Sequence, residues 1–281
     1  MQNAVVSPII LAVLAAMVAA TGCRTFAPEQ YVKEIAPSNN RVWSPEMAKL
    51  PYAKIEEDFA TVHNIRHCTW VSSSDYVLNH DTRRYDLRQI KSIDFIMIPF
   101  QDMPDIAHTM MSFGFEGNDY LCLSVEIRKE EGESYGAIKG FFNQYEIIYV
   151  LGDERDVIKQ CSNFRRDDVY VYRAKATPKQ CRQMFVDVLA RANKLYDQPE
   201  FYNTLTNNCT TNLVAHVNHI SPGRIPYNVQ VLLPGLSDRL AYDLELIQRT
   251  GSFEETKKRA LINTKAIAYE AERDFSARIR R

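Results

Sequence analysis

The sequence predicts an α+β fold in which a mainly antiparallel sheet is packed with helices, and two observations support this. Five short segments rich in Ile, Val, Tyr and Phe follow one another between turn residues in the middle of the chain, which is typical of strands. Helical patterns lie before and after these segments rather than alternating with them. Grouped strands favour antiparallel pairing, whereas regular alternation with helices would favour a parallel sheet.

The predicted elements follow in chain order. Residues 45–61 have helix-compatible spacing after Ser44-Pro45, a typical cap and first turn. The strand candidates are residues 92–100, 108–115, 119–128, 146–151 and 168–174. An apolar stripe predicts an amphipathic helix over residues 180–196, and Asp153 followed by acids predicts a short capped helix. Further helices are expected from Cys209 to before Pro222, and over residues 237–248 and 253–272.

The turn around Gly117 allows two registers for the strands on either side of it. A two-residue loop would place Phe113 opposite Cys122 and bring an apolar face against a mixed one. A three-residue loop over residues 116–118 pairs Phe113 with Leu121 instead. Because register follows the hydrophobic face, we expect the three-residue loop.

The N-terminus has the features of an exported lipoprotein. Residues 4–20 are apolar apart from Ser7 and Pro8, and Thr21-Gly22-Cys23 follow at once, as in a signal peptide with small residues at its cut site. We expect residues 1–22 to be a cleaved signal and Cys23 to carry lipid. Residues 23–44 then read as a tether and residues 45–281 as a single periplasmic domain. An uncleaved anchor helix and an ordinary secretory signal are the alternatives.

Composition limits the partners and the compartment. Arg24 follows Cys23 at the position where an Asp would resemble an inner-membrane retention signal. This favours an anchor in the outer membrane, with the protein facing the periplasm. The 34 basic and 35 acidic residues give a formal net charge of −1, which argues against a nucleic-acid partner. Beyond the N-terminal run no second apolar span is expected, and no cofactor is indicated.

The cysteines pose a question of pairing. Apart from Cys23 the chain has five, an odd number, so at least one thiol is expected to stay free in an oxidising compartment. Cys161 and Cys181 flank a Tyr-rich strand candidate and are one conceivable pair, but the sequence leaves the pairing open.

The stretch from Thr206 to Leu213, TNNCTTNL, is the most unusual in the chain. Asn208 is a good N-cap and an apolar stripe follows it, which places Cys209 in the first turn of a helix. The unpaired N–H groups and the dipole there favour an anion, so a thiol loses its proton more easily and becomes a nucleophile. The alternative is a small buried hydrophobic residue that falls near a helix start.

A thiolate nucleophile needs a base, and the base needs an orienting partner. In the three-residue-loop register His108 lies directly opposite Glu126 on the less apolar face, which makes this pair the candidate base and orienting acid. A sheet-edge histidine without a role is the alternative.

The other histidines are weaker candidates. His63 and His67 are expected to be structural or surface residues. A metal cluster of Cys209, His216 and His219 is disfavoured, because Cys209 and His216 are two helical turns apart.

Several motifs together resemble the Lnb N-terminal periplasmic domain family over roughly residues 45–265, and the Asn-Asn-Cys-Thr-Thr stretch is the most specific. The motifs are His63-Asn64-Ile65-Arg66, Ala107-His108-Thr109, Ser112-Phe113, the run from Leu123 to Arg128, Asp153-Glu154-Arg155-Asp156, the run from Phe201 to Leu205, and Asn207-Asn208-Cys209-Thr210-Thr211.

The resemblance implies a fold and a chemistry. The family looks like circularly permuted NlpC-type papain-like proteins, which implies Cys209 as nucleophile, His108 as base and Glu126 as the third member. Its named members are lipoprotein N-acyltransferases, which implies a cysteine thioester loaded from a phospholipid and passed to the amine of a diacylated lipoprotein.

The expected function is therefore that of a lipid-anchored envelope thiol enzyme, a cysteine-dependent acyltransferase or hydrolase. Its expected partners are the membrane, through the lipid on Cys23, and a phospholipid or lipoprotein acyl substrate. A peptidoglycan-type amidase or peptidase and a non-catalytic envelope scaffold are the alternatives.

Overall fold

The computed structural model describes residues 36–133 and 143–281. The predicted signal peptide, Cys23 and the first part of the predicted tether lie outside these residues. The strands are β1 (Tyr52–Glu56), β2 (Phe59–Arg66), β3 (Thr69–Trp70), β4 (Tyr76–Val77), β5 (His80–Asp86), β6 (Ile90–Phe100), β7 (Met103–Phe115), β8 (Tyr120–Arg128), β9 (Glu146–Gly152) and β10 (Tyr170–Arg173).

Helices are concentrated in the second half of the described chain. They are α1 (Glu154–Lys159), α2 (Pro178–Asp197), α3 (Cys209–Ile220), α4 (Val229–Leu232), α5 (Ser237–Asp243), α6 (Phe253–Ala260), α7 (Asn263–Ala268) and α8 (Phe275–Arg278). A π-helical segment, Gln160–Arg165, extends α1. In the described ranges no helix combines the length and the apolar character that crossing a membrane requires.

One eight-stranded sheet organises the fold. Its strands follow the order β1-β2-β9-β8-β7-β6-β10, and β5 pairs with β2. Every neighbouring pair is antiparallel except β2 and β9, which a single parallel bridge between Arg66 and Gly152 joins. The predicted α+β class with a mainly antiparallel sheet is confirmed.

The β7–β8 hairpin has the predicted register. Phe113 pairs with Leu121 and Met111 with Leu123, and residues Glu116–Asn118 form the three-residue loop. Gly117 adopts φ 76° in this loop, a backbone conformation that costs glycine little.

The two faces of the sheet bury separate cores. Alternate residues of β7, β8 and β9, such as Phe113 and Leu123, pack against α2 and α3. The intervening residues, such as Met110 and Val150, pack against α1, α7 and α8. Cys181 belongs to the first core and Cys161 to the second. The pairing of Cys161 and Cys181, which the sequence leaves open, is therefore not formed: the sheet lies between the two residues, and all five described cysteines are free thiols.

The predicted helix over residues 45–61 is wrong. In this range a short 3₁₀-helix, Pro45–Met47, is followed by β1 and the first three residues of β2. A bulge in β2, where Asn64 has φ 58°, makes Ile65 rather than Asn64 the next buried position after Val62. This bulge breaks the strict alternation by which a strand is recognised.

Two predicted C-terminal helices are shorter than expected. The helix predicted over residues 237–248 ends at Asp243, because Ile247 forms a β-bridge with Ala174. The helix predicted over residues 253–272 breaks at Leu261, which bridges Tyr170. In both places a β-bridge to β10 or to the residue that follows it replaces the hydrogen bonds of the helix.

The last part of the predicted tether, residues 36–44, contacts the domain. The Asn39 side chain donates to the Leu195 carbonyl oxygen at 3.2 Å and accepts from Arg128 at 2.8 Å. The Arg128 guanidinium also lies 4.2 Å from the centre of a Trp43 ring. The chain is thus held against the end of β8 before Pro45 is reached.

A buried ionic cluster attaches the C-terminus to the sheet. Arg280 donates from Nε to Asp94 at 2.7 Å and from Nη1 to Glu154 at 2.8 Å, and Ser112 donates to the same glutamate. Asp94 and Glu154 are almost completely buried. Glu154 therefore depends on this guanidinium for compensation of its charge, whereas Asp94 also pairs with Arg173 Nε at 2.8 Å.

Replacing Arg280 by Met is expected to lower the free energy of unfolding by about 3–5 kcal/mol, because the buried Glu154 loses its guanidinium partner and the buried Asp94 loses one of two. Chemical denaturation followed by circular dichroism measures the change. The control is Arg281→Met at the neighbouring exposed position, which is expected to stay within about 0.5 kcal/mol. Equal effects of the two substitutions would contradict the role given to Arg280.

Candidate active site

Cys209 is the first residue of α3, as the sequence predicts, and Asn208 is its N-cap. The Asn208 side chain accepts a hydrogen bond from the Thr211 N–H at 2.8 Å. In return the Thr211 hydroxyl accepts from the Asn208 N–H at 2.8 Å. This reciprocal cap fixes where the helix starts and therefore where the thiol lies.

Side-chain hydrogen bonds pin α3 to its surroundings. The Thr210 hydroxyl lies 3.0 Å from that of Thr109 on β7. The Tyr149 hydroxyl on β9 donates to Asn212 at 2.9 Å and lies 2.8 Å from His216 Nε2. Both ends of the first two turns are thereby held on the sheet.

His108 on β7 meets two side chains of β8 through one ring nitrogen. Its Nε2 lies 2.7 Å from Ser124 Oγ and 3.1 Å from Glu126 Oε1. The Ser124 hydroxyl donates to the same carboxylate oxygen at 2.5 Å. Glu126 therefore holds the ring both directly and through Ser124.

The thiol of Cys209 lies near enough to His108 for the imidazole to lower the pKa of the thiol. The candidate nucleophile, base and orienting acid are thus brought together at one place, which is the arrangement that an activated thiol requires.

The electrostatics of this chain favour a charged pair. Burial alone would raise the pKa of the Cys209 thiol, but the hydrogen bond and charge of His108, together with the Thr109 N–H, lower it to about 7. Burial would lower the pKa of His108, yet the Glu126 carboxylate and the thiol raise it. The pKa of Glu126 falls despite burial because of His108 and Ser124. These directions stabilise a thiolate beside an imidazolium.

The three residues line a cavity of about 400 Å³ with mixed walls. Apolar lining comes from side chains such as Met47, Trp70 and Leu232. The wall also contains Arg66, which is paired with Asp156 at 2.8 Å. Cys161 lines the same cavity, but burial raises the pKa of its thiol to about 12. One cavity therefore holds two thiols of opposite reactivity.

The remaining histidines lie apart from this cavity. His63 stacks on Tyr52 with ring centres 4.5 Å apart, and His67 faces Asp81 at 3.7 Å. His216 and His219 both face Asp187 at 2.6 Å. Within residues 36–133 and 143–281, no three His, Cys, Asp or Glu side chains are grouped as metal ligands.

Two residues of the site were not identified from the sequence. Ser124 lies between His108 and Glu126. It could have been found from the sequence, because it precedes Glu126 by two residues and therefore lies on the same strand face. Thr109 lowers the pKa of the thiol, an effect that depends on how α3 docks and has no signature in the sequence.

The comparisons with known proteins give one match. A model of the family described as the Lnb N-terminal periplasmic domain matches residues 76–235, which are 160 of the 281 residues and include His108, Glu126 and Cys209. The chain belongs to this family, whose description places it in the periplasm. No curated protein and no solved structure matches the chain.

Alkylation by iodoacetamide is expected to modify Cys209 with a midpoint near pH 7. The thiolate is the reactive form, so the rate rises as pH passes through the lowered pKa. Mass spectrometry of peptides across a pH series measures the rate at each cysteine. Cys161 is the internal control and should stay unmodified up to about pH 10, since its pKa is about 12. A Cys209 midpoint near 9 would contradict the ion pair.

Replacing Glu126 by Gln is expected to raise the pKa of Cys209 by about one unit or more. Without the carboxylate the imidazolium is less stable, and a neutral imidazole does not stabilise the thiolate. The alkylation midpoint therefore moves to higher pH. Glu131→Gln, at an exposed position just beyond β8, is the matched control and should leave it unchanged. An unchanged alkylation midpoint of Cys209 in Glu126→Gln would show that Glu126 does not influence the thiol.

Proposed function

We propose that this member of the Lnb N-terminal periplasmic domain family is a lipid-anchored thiol enzyme of the cell envelope, acting by acyl transfer or hydrolysis through an acyl-enzyme on Cys209. The observation that carries the proposal is the pairing of His108 with Glu126 at 3.1 Å beside the Cys209 thiol, whose pKa His108 lowers. A merely structural cysteine has its pKa raised by burial, as the other four described cysteines do.

In the proposed reaction the thiolate of Cys209 attacks the carbonyl carbon of an ester. A sulfur–carbon bond forms, and collapse of the tetrahedral intermediate breaks the carbon–oxygen bond. The departing alkoxide takes the proton from the His108 imidazolium. An amine then attacks the thioester, gives its proton to His108, and releases the thiolate. Water in place of the amine gives hydrolysis.

The start of α3 suits the charge that develops on the carbonyl oxygen. The first N–H groups of a helix have no partner within it, and Asn208 occupies only that of Thr211. We assign the Cys209 N–H as a donor to the oxyanion. Asn208 then acts as a positioning residue, because its cap orients that N–H.

The finer features of the proposal follow the family resemblance. The histidine strand precedes the cysteine helix, as expected of a permuted papain-like fold of the NlpC type. The proposed anchor is a lipid on Cys23, in the outer membrane. The proposed donor is a phospholipid and the proposed acceptor is the α-amine of a diacylated lipoprotein.

The test uses the lipidated protein in vesicles that contain phospholipid labelled in its acyl chains. A labelled adduct on Cys209 that hydroxylamine removes is expected, since a thioester is cleaved under conditions that leave amides intact. Cys209→Ala should lose the adduct completely. Cys161→Ala, which removes the other thiol of the cavity, should retain it.

Addition of a diacylated lipopeptide should move the label to a hydroxylamine-resistant amide. Release of free fatty acid instead would identify a hydrolase. No adduct in any vesicle would contradict acyl transfer from lipid. Cleavage of peptidoglycan fragments would then favour an amidase, and no reaction with either substrate would favour an envelope scaffold.

A further inference from the structure

A second cavity, of about 180 Å³, runs along α3. One wall is a stripe of that helix, at the spacing of a single helix face. The stripe comprises Thr210, Leu213, Val214, Val217 and Ile220. Ten residues of helix correspond to a length of about 15 Å. The cavity is therefore long enough to follow the helix from its first turn to its last.

The other walls are also apolar. The sheet contributes Phe95 and Met111, and α2 contributes Met184. The segment beyond α3 closes the cavity with Val231, Leu240 and Ile247. Protein interiors are normally packed as densely as organic crystals, and a lined apolar cavity of about 150 Å³ is already large enough to stay dry and bind benzene. A hydrocarbon ligand suits this space.

One end of the cavity is lined by Thr210, the residue that follows Cys209, whose own side chain lines the larger cavity. The Thr210 hydroxyl oxygen lies 3.8 Å from Cys209 Sγ. The lining also includes Lys175 and Glu245, which form an exposed ion pair at 3.1 Å. The apolar cavity therefore extends from the residue next to the sulfur to a polar rim.

We infer that this cavity binds the hydrocarbon chain of the acyl group that Cys209 carries. The inference rests on the proposed acyl-enzyme. It adds where the acyl chain lies and which residues limit its length. The carbonyl stays at the sulfur, the chain passes Thr210, and its methylenes lie against Val214 and Val217.

The experiment compares p-nitrophenyl esters of increasing chain length as acyl donors to Cys209, with Cys209→Ala as the background. In the wild-type protein each added methylene should increase the rate about fourfold until the cavity is full, as expected for burial of a methylene. Val217→Phe fills the cavity and should flatten this dependence. Ala215→Phe adds the same bulk on the exposed side of α3 and should retain the wild-type dependence.

An unchanged chain-length dependence in Val217→Phe would overturn the inference. Circular dichroism reports whether the variant is folded, and Val217→Met provides a milder filling if it is not. A separate arm uses Cys209→Ala protein and calorimetric titration with 1-octanol, which needs no acyl transfer. Binding that Val217→Phe abolishes supports the cavity even if no ester reacts, whereas equal binding by both proteins rejects it.

Discussion

The register of the β7–β8 hairpin is the constraint on which the candidate site depends. Side chains alternate between the faces of a strand, so a slip of one residue would turn His108 or Glu126 away from the other. The pairing of Phe113 with Leu121 is enforced by burial of both residues in the core under α2 and α3. A hydrophobic contact on one face thus sets a polar contact on the other, with His108, Ser124 and Glu126 in a single line.

The position of Cys209, the proposed nucleophile, depends instead on the cap of α3. Asn208 determines the first residue of α3, and the Thr109–Thr210 contact holds that turn against β7. The position of Cys209 in α3 and the pairing of His108 with Glu126 are both needed to lower the pKa of the thiol. Burial opposes the thiolate, and only the added charge and hydrogen bonds of His108 and Thr109 reverse its effect. The acid therefore influences the sulfur only through the ring between them.

The features that local patterns encode were predictable from the sequence. Five central strands, the long helix α2, the cap at Asn208 and the hairpin register were all identified, because turn residues and hydrophobic periodicity specify them. The region from Tyr52 to Asp86 was not. β5 is a mostly polar strand in which only Tyr85 is buried, and β2 has an interrupted alternation. Both are strands because they pair with each other, and pairing between distant segments leaves little local trace. For the same reason the contact of Thr109 with the thiol could not be foreseen, whereas Ser124 could have been.

The contrast between the two thiols of the cavity also bears on durability. The lowered pKa on which the proposed role of Cys209 depends also makes this thiol the preferred target of oxidants, which react with thiolates to give sulfenic and then irreversible higher acids. Cys161, a few per cent exposed and protonated, is protected by the same burial that leaves it inert. In an oxidising compartment, oxidation of Cys209 would therefore limit how long the proposed enzyme stays active. In the proposed acyl-enzyme the sulfur is bonded to an acyl carbon and carries no thiolate charge, so frequent occupation by substrate would itself protect the site from oxidation.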